Sequence, residues 1–369
     1  MDKKKFLIIA QTIFPAQTPR SYRATELAKE LARQGHKVTL YAVLGNYDYQ
    51  QFEKDSYVQV KNIGKMLFSK TNSAGTYKWT IIDRGIKKIF GKLFEFPDIE
   101  LMFKIPGILK NERDVDCVIT IGMPYPLHWG AALARTFNTK IFPGKWIADC
   151  GDPYMGNKFH KPYFYFKYIE KWFFNKTDYV TIPFEEARRG YYEEFADKIR
   201  IIPQGFSFYN LPARNEHYKN HIPSFAYAGV FYPNKRDPTS FLEYLTTLKM
   251  DFKFTIFTSS NELIDPFLEK LGPKIEVHSY VPRDELLKTL VNMDFLVNIE
   301  NGTGIHSPSK LIDYALTGRP VLSLNPFSLD KDKINDFLSG NYEKQFVIKD
   351  IQQYNIKNVA SKFLELVRD

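Results

Sequence analysis

The sequence predicts an α/β chain of two doubly wound parallel-sheet domains facing across a cleft. Three observations carry the prediction. Short apolar runs alternate with stretches of helical spacing along most of the chain. The alternation starts afresh after a polar, helix-poor stretch at 205–223. A length of 369 residues is too great for one ordinary domain and comfortable for two. With 44% hydrophobic and 25% charged residues, the composition excludes disorder, collagen-like repeats and a disulfide-stapled miniprotein.

Lys5 to Ala10 is an apolar run of buried-strand type. Beyond Pro15 and Pro19, the positions of Tyr22, Leu27, Ala28 and Leu31 give Ser21 to Gln34 a helical spacing. Gly35 stands where a left-handed residue ends such a helix, and Val38 to Val43 follows as a strand. Asp116 to Ile121 is a further strand, closed by Gly122 and followed by a helix at about 127–136 and a strand near Lys145 to Ala148. Tyr179 to Ile182 and Ile199 to Ile202 complete the first series.

The second series opens with strand Phe225 to Ala228, closed by Gly229, then helix 238–248 and strands Phe252 to Phe257 and Glu276 to His278. Helix 283–292, strand Phe295 to Asn298, helix 309–317 and strand Val321 to Leu324 continue it. Ile356, Val359, Phe363 and Leu366 mark a terminal helix at about 351–367. The boundary falls between a domain at 1–206 and one at 207–369, with the terminal helix free to pack back on the first.

The net charge is +9, and its distribution is uneven. Residues 61–92 hold eight basic groups against Asp83. Across 81–94, Ile81, Ile82, Ile86, Ile89, Phe90, Leu93 and Phe94 share one helical face. Residues 158–176 repeat the theme, with five lysines against Glu170 among Phe159, Tyr163, Phe164, Phe166, Trp172 and Phe173. Two readings stand: ordinary domain helices, or an interfacial helix docking on the anionic inner leaflet of a membrane. No window approaches 18 consecutive apolar residues, and the apolar stretch in MDKKKFLIIAQTIF is too short for a secretory signal. The two cysteines, Cys117 and Cys150, suit a reducing compartment. The expectation is a cytoplasmic chain, at most peripheral on the inner face of the membrane.

The sharpest chemistry lies at 306–324. Ser307, Pro308 and Ser309 precede a helix whose free N–H groups would face an anion, and Lys310 adds a charge in its first turn. Asp313 lies on the same face, where its carboxylate can accept two vicinal hydroxyls such as a ribose presents. A plain capped helix between two strands has the same spacing. Metal binding is unsupported: His217 and His221 are four apart but lack further ligands, and no Asp-x-Asp motif occurs. Neither G-x-x-x-x-G-K-[ST] nor G-x-G-x-x-G is present, and no nucleic-acid-reading motif is found.

The segment PSKLIDYALTGRPVL resembles the nucleotide-sugar signature of the large retaining GT-B glycosyltransferase group of bacterial polysaccharide and glycolipid biosynthesis. Three more segments, in the right order, extend the resemblance over nearly the whole chain: TPRSYRATELAKELARQGHKVTLYA, FAYAGVFYPNKRDPTSFLEYL and VHSYVPRDELLKTLVNMDFLVN. It implies a GT-B fold of two Rossmann-like domains, the first for the acceptor and the second for the nucleotide sugar.

Carried over by residue, Asp313 matches the second acid of the group's paired-acid motif, which holds the donor ribose; Ile305 occupies the place of the first. Lys235 and Arg236 match the basic residues that neutralise the donor diphosphate. Arg20 and Ser21 lie in the loop where relatives carry a Gly-Gly pair near phosphate. His128 and Asp152 match positions that meet the acceptor or the transferred sugar, although a core histidine and a simple turn would look alike in sequence. Asp149 is a weaker candidate.

The implied activity is hexosyl transfer from a nucleotide diphosphate-sugar, a substrate rather than a cofactor, to a glycan or lipid-linked acceptor. The resemblance implies retention and no metal. Two alternatives share the architecture: a sugar-nucleotide epimerase that needs no acceptor, and a non-catalytic binding or scaffold protein that keeps the fold.

Overall fold

The computed structural model describes residues 2–67, 90–137, 144–157, 161–209, 211–212, 220–301 and 309–368. Ile81, Ile82, Ile86, Ile89, Ile305, Ser307 and His217, singled out above, lie outside them. The chain divides into two compact units, 1–207 with 353–369, and 208–352. Among the described residues no helix is long and apolar enough to cross a membrane.

The first unit holds strands β1 (Lys5–Ile9), β2 (Lys37–Ala42), β3 (Val58–Asn62), β4 (Cys117–Ile121), β5 (Lys145–Asp149), β6 (Tyr179–Ile182) and β7 (Ile199–Ile201). They form one parallel sheet in the order β3-β2-β1-β4-β5-β6-β7. The second holds β8 (Ser224–Ala228), β9 (Lys253–Phe257), β10 (Ile275–His278), β11 (Phe295–Ile299) and β12 (Val321–Leu324), parallel in the order β10-β9-β8-β11-β12. The helices are α1 (Pro19–Arg33), α2 (Gln50–Ser56), α3 (Glu100–Asn111), α4 (Pro126–Phe137), α5 (Phe166–Lys176), α6 (Thr239–Thr246), α7 (Asp265–Leu271), α8 (Arg283–Leu290), α9 (Ser309–Thr317), α10 (Lys331–Leu338) and α11 (Ile356–Arg368). Two parallel sheets with interleaved helices are the GT-B pair of Rossmann-like folds.

A parallel sheet is covered on both faces, so its strands read as continuous apolar runs. The period of two shows in how β1 divides. Phe6 and Ile8 pack with Leu27 and Leu31 of α1 and Phe363 of α11. Leu7 and Ile9 pack with Leu101 and Ile105 of α3, Trp129 of α4 and Phe173 of α5. Helix α1 starts two residues earlier than its spacing implies. Thr18 caps it by accepting from the Ser21 N–H, and Pro19 sits in its first turn, where its missing N–H costs nothing. It ends at Gly35 (φ +89°), where the His36 N–H reaches back to the Leu31 carbonyl. In the second unit Phe225 stacks between Phe254 and Phe295 at 4.8 and 4.7 Å, one ring from each of three neighbouring strands.

A buried ion pair ties the first unit together. Arg23 of α1 donates to Asp149 at the end of β5 from Nε and Nη2, the latter at 2.7 Å. Its Nη1 reaches the Pro203 carbonyl beyond β7, and its guanidinium lies 5.0 Å from the Phe363 ring of α11. Burial alone would raise the Asp149 carboxyl, but Arg23 and then Arg20 outweigh it and hold it below its ordinary value. Truncating one partner of a buried pair leaves the other charge uncompensated, at a cost of about 3–5 kcal/mol. Arg23→Ala should therefore destabilise the first unit by that amount. All four tryptophans lie in that unit, so their fluorescence during urea unfolding reads it. An unchanged midpoint would show that the pair carries no stability.

Candidate functional site

In a doubly wound sheet, ligands bind at the carboxyl ends of the strands where the winding reverses. In the first unit that point lies between β1 and β4. A pocket of about 330 Å³ opens there, lined by Gln11 beyond β1, Met123 and Tyr125 beyond β4, Tyr154 beyond β5, and by Glu95 and Asp98 ahead of α3. Glu95 (φ 55°) and Met123 (φ 68°) hold left-handed backbone, a strain that functional sites commonly store. The Tyr154 hydroxyl donates to Glu95 at 2.7 Å, and the Tyr125 hydroxyl to the Asp152 carbonyl at 2.6 Å. Gln11 donates to Asp98 Oδ1 at 2.7 Å. Burial raises the Asp98 carboxyl above its ordinary value, with Gln11 pulling the other way.

The residues that sequence reasoning named in this unit fall around the pocket rather than in it. Asp152 is exposed and meets the pocket wall only through its carbonyl. His128 is 0% exposed. Its Nδ1 pairs with Thr120 Oγ1 at 2.7 Å, its Nε2 lies 3.5 Å from Cys150 Sγ, and its ring stacks on Phe173. Burial pushes it down to about 3, so it is a neutral imidazole packed behind Tyr125. Ser21 is buried, its N–H serving the Thr18 cap and its hydroxyl the Ala16 carbonyl. Arg20 points at Asp149, 3.5 Å away, with its guanidinium against Gly151. Gln11, Glu95 and Asp98 were missed because no motif spacing joins them; the fold alone gathers them.

In the second unit the winding reverses between β8 and β11. The loop after β8 carries Lys235 and Arg236, and α9, after β11, carries Ser309, Lys310 and Asp313. Helix α9 is pinned to β8 by the Ala228 N–H, which donates to the Tyr314 hydroxyl at 2.7 Å. One turn earlier, Lys310 Nζ lies 4.0 Å from the centre of the Tyr227 ring, and its stem passes Gly229. Neither Lys310 Nζ nor Arg236 Nε has solvent or a hydrogen-bond partner among the described residues. Burial and then Arg236 push the Lys310 ammonium well below its ordinary value. Arg236 lies over the Tyr232 ring, while Lys235 is exposed. Lys310 Nζ and Arg236 Nε are thus two neighbouring nitrogens whose donors are unused among the described residues, a candidate place for an anion.

Asp313 has a partner that the sequence did not reveal. Arg283, at the start of α8, donates from Nε to Asp313 Oδ1 at 2.7 Å. Burial raises the Asp313 carboxyl, against the pull of Arg283. Its Oδ2 keeps no hydrogen-bond partner among the described residues and can accept a ligand hydroxyl. Among the described residues no three His, Cys, Asp or Glu side chains gather as metal ligands do.

This is the architecture of the GT-B glycosyltransferases, and solved structures share it. A glycosyltransferase from Rickettsia africae is 14% identical with a TM-score of 0.67, over 100% of this chain and 98% of its own. Anabaena HepE, solved with UDP and glucose, is 10% identical with a TM-score of 0.59, over 99% of each chain. A UDP-N-acetylglucosamine 2-epimerase is 12% identical with a TM-score of 0.58, over 99% of this chain and 95% of its own. Such identities show the fold alone. No curated protein matches the chain. The model of glycosyltransferase family 4 matches residues 21–207, and the chain belongs to that family.

The pocket wall rests on a buried carboxyl. Glu170 of α5, 0% exposed, accepts from the N–H groups of Tyr154 and Met155 and from the Tyr192 hydroxyl. Burial raises it from 4.5 to about 7, despite those three bonds. With the folded value above the unfolded one, its stabilisation is full below about pH 4.5 and is lost as pH rises through about 7. Glu170→Gln removes that loss. The variant should gain on the wild type by the order of 3 kcal/mol between about pH 4.5 and pH 8, in tryptophan-monitored urea unfolding. A difference that does not change with pH would show that Glu170 is ionised throughout.

Proposed function

We propose that the chain moves a hexosyl group from a nucleotide diphosphate-sugar to a glycan or lipid-linked acceptor, with retention and without a metal ion. The observation that carries this reading is the pair of unused, buried nitrogens on Lys310 and Arg236. A diphosphate gives both a partner. It also gains negative charge as the glycosidic bond breaks, and fixed cations stabilise that charge most in the transition state. Asp313 Oδ2 takes a ribose hydroxyl while Arg283 holds the carboxylate in place. The similar fold of HepE, solved with UDP and glucose, is in line with this donor class. The first unit, with its pocket at the β1–β4 switch point, supplies the acceptor site. Membership of a glycosyltransferase family favours transfer over epimerisation.

The acceptor's carrier is an anionic membrane. Phe90, Phe94, Tyr163, Phe164 and Tyr168 are exposed, Phe164 by 77%, with Lys92, Lys161 and Lys167 beside them. No acidic residue interrupts 90–94 or 161–168. The Tyr165 hydroxyl donates to the Leu93 carbonyl and binds the two segments into one face. Exposed aromatics among lysines match the headgroup layer of an anionic leaflet.

Donor binding should carry a proton signature. The Lys310 amine is depressed in the free protein, and a bound diphosphate favours its ammonium form. UDP binding should thus take up protons and weaken as pH rises, as calorimetry in two buffers of different ionisation enthalpy reads. Absence of uptake would remove Lys310 from the site. Asp313→Ala should weaken donor binding by about 1–3 kcal/mol. Lys235→Ala with Arg236→Ala should lower kcat more than it raises KM, and EDTA should leave turnover unchanged. A strict requirement for Mg²⁺ or Mn²⁺ would contradict the metal-free mechanism. Product analysis separates the alternatives: an epimer formed without acceptor identifies an epimerase, and binding without turnover a scaffold.

The membrane face is tested with vesicles containing anionic lipid. Binding should weaken with added salt, and Lys92→Glu with Lys167→Glu should abolish it while UDP affinity stays unchanged. Wild-type protein that ignores such vesicles at low salt would point to a soluble glycan acceptor.

A further inference from the structure

The pocket of the first unit has a chemistry of its own. At about 330 Å³ it sits at the small end of ligand sites, which run from about 300 to 1,000 Å³. Two of its walls are the rings of Tyr125 and Tyr154, 4.8 Å apart. Both hydroxyls are already engaged, Tyr125 with the Asp152 carbonyl and Tyr154 with Glu95, so the rings meet a ligand as apolar surfaces. The polar side is different. Asp98 gives Oδ1 to the Gln11 amide, and its Oδ2 has no hydrogen-bond partner among the described residues. A carboxylate accepts and cannot donate, so this oxygen asks for an O–H or N–H group. Asp98 and Glu95 together set a negative potential in a site of low polarity, and no Lys, Arg or His side chain lines it among the described residues.

A group with C–H faces for the rings and a hydroxyl for the carboxylate is a sugar ring, and the potential excludes one that is negatively charged. We propose that this pocket holds the terminal ring of the acceptor, that Asp98 Oδ2 accepts a hydrogen bond from one of its hydroxyls, and that rings bearing a carboxylate or phosphate are rejected. Asp98 is then a positioning and specificity residue. The proposal rests on the transferase reading, and its test keeps the two apart.

The probes are methyl glucoside and the methyl glycoside of glucuronic acid, followed by saturation-transfer NMR on the full chain with saturating UDP present. UDP binding is scored in the same samples. The wild type should bind the neutral glycoside and take the uronate about tenfold more weakly or worse, the scale of a like-charge contact. Asp98→Asn keeps an acceptor for Gln11 and removes one of the pocket's two carboxylate charges, so it should bind the uronate several-fold more tightly than the wild type does and narrow the preference for the neutral sugar. A merely structural role for Asp98 does not produce that gain. Should the variant fail to fold, the wild-type preference alone decides. Equal binding of both glycosides, or none of either while UDP binds, overturns the proposal and leaves the transferase reading standing. Loss of UDP binding overturns the transferase reading instead.

Discussion

Where the winding of a parallel sheet reverses, two neighbouring strands send their connections to opposite faces, and a gap remains at their carboxyl ends. This chain makes that gap twice, between β1 and β4 and between β8 and β11. The features that point to chemistry converge on these gaps. Gln11 and Tyr125 follow adjacent strands at the first, and at the second Arg236 lies in the loop after β8 and Lys310 in the first turn of α9. Each follows, in sequence, the carboxyl end of a strand that borders its gap. They are displayed because the strands beneath them are buried on both faces and cannot move.

Holding the first gap open takes buried charge. Arg23 and Asp149 join α1, β5, the end of β7 and α11, and they lie under the turn that carries Asp152 and Tyr154. Glu170 then fixes the Tyr154–Met155 backbone from α5. A hydrophobic substitute for either group would fill the space, but it could not accept two N–H groups or reach a carbonyl. The polar core of this unit thus sets the position of a loop, and packing alone does not.

Much of the fold was legible because its strands are buried runs and its longer helices have a clean period. CVITI in β4 and the Leu27–Leu31 face of α1 needed no tertiary information. Other elements were hidden for physical reasons. β3, VQVKN, is a half-exposed edge strand, and α3 carries Pro106 inside it, where an intrahelical hydrogen bond is forfeited. The aromatic run at 158–176 left two readings open, packed helix faces or a membrane-docking surface, and the structure divides its described residues. Phe166, Phe173 and Phe174 enter the core while Tyr163, Phe164 and Tyr168 stay outside. Lys310, Arg236 and Asp313 could be named as candidates because each lies in a contiguous motif. Arg283 and Asp98 were not, since each acts on a partner far away in sequence.

The two gaps present side chains of opposite charge, as the proposed donor and acceptor roles require. A nucleotide diphosphate must be bound as an anion and released as a more charged one, which requires cations whose donors are not already spent on carboxylates. Under the proposed function Arg236 and Lys310 meet that requirement, and Asp313, one turn beyond Lys310, is held by Arg283. An acceptor hydroxyl needs the reverse, an acceptor oxygen with a free lone pair and no cation to quench it, as Asp98 provides. Placed together, these side chains would neutralise one another in ion pairs and bind neither substrate. Among the described residues the first gap presents Glu95 and Asp98, and the second the unpartnered Nζ of Lys310 and Nε of Arg236, so under the proposed function each gap keeps its own charge available for its own ligand.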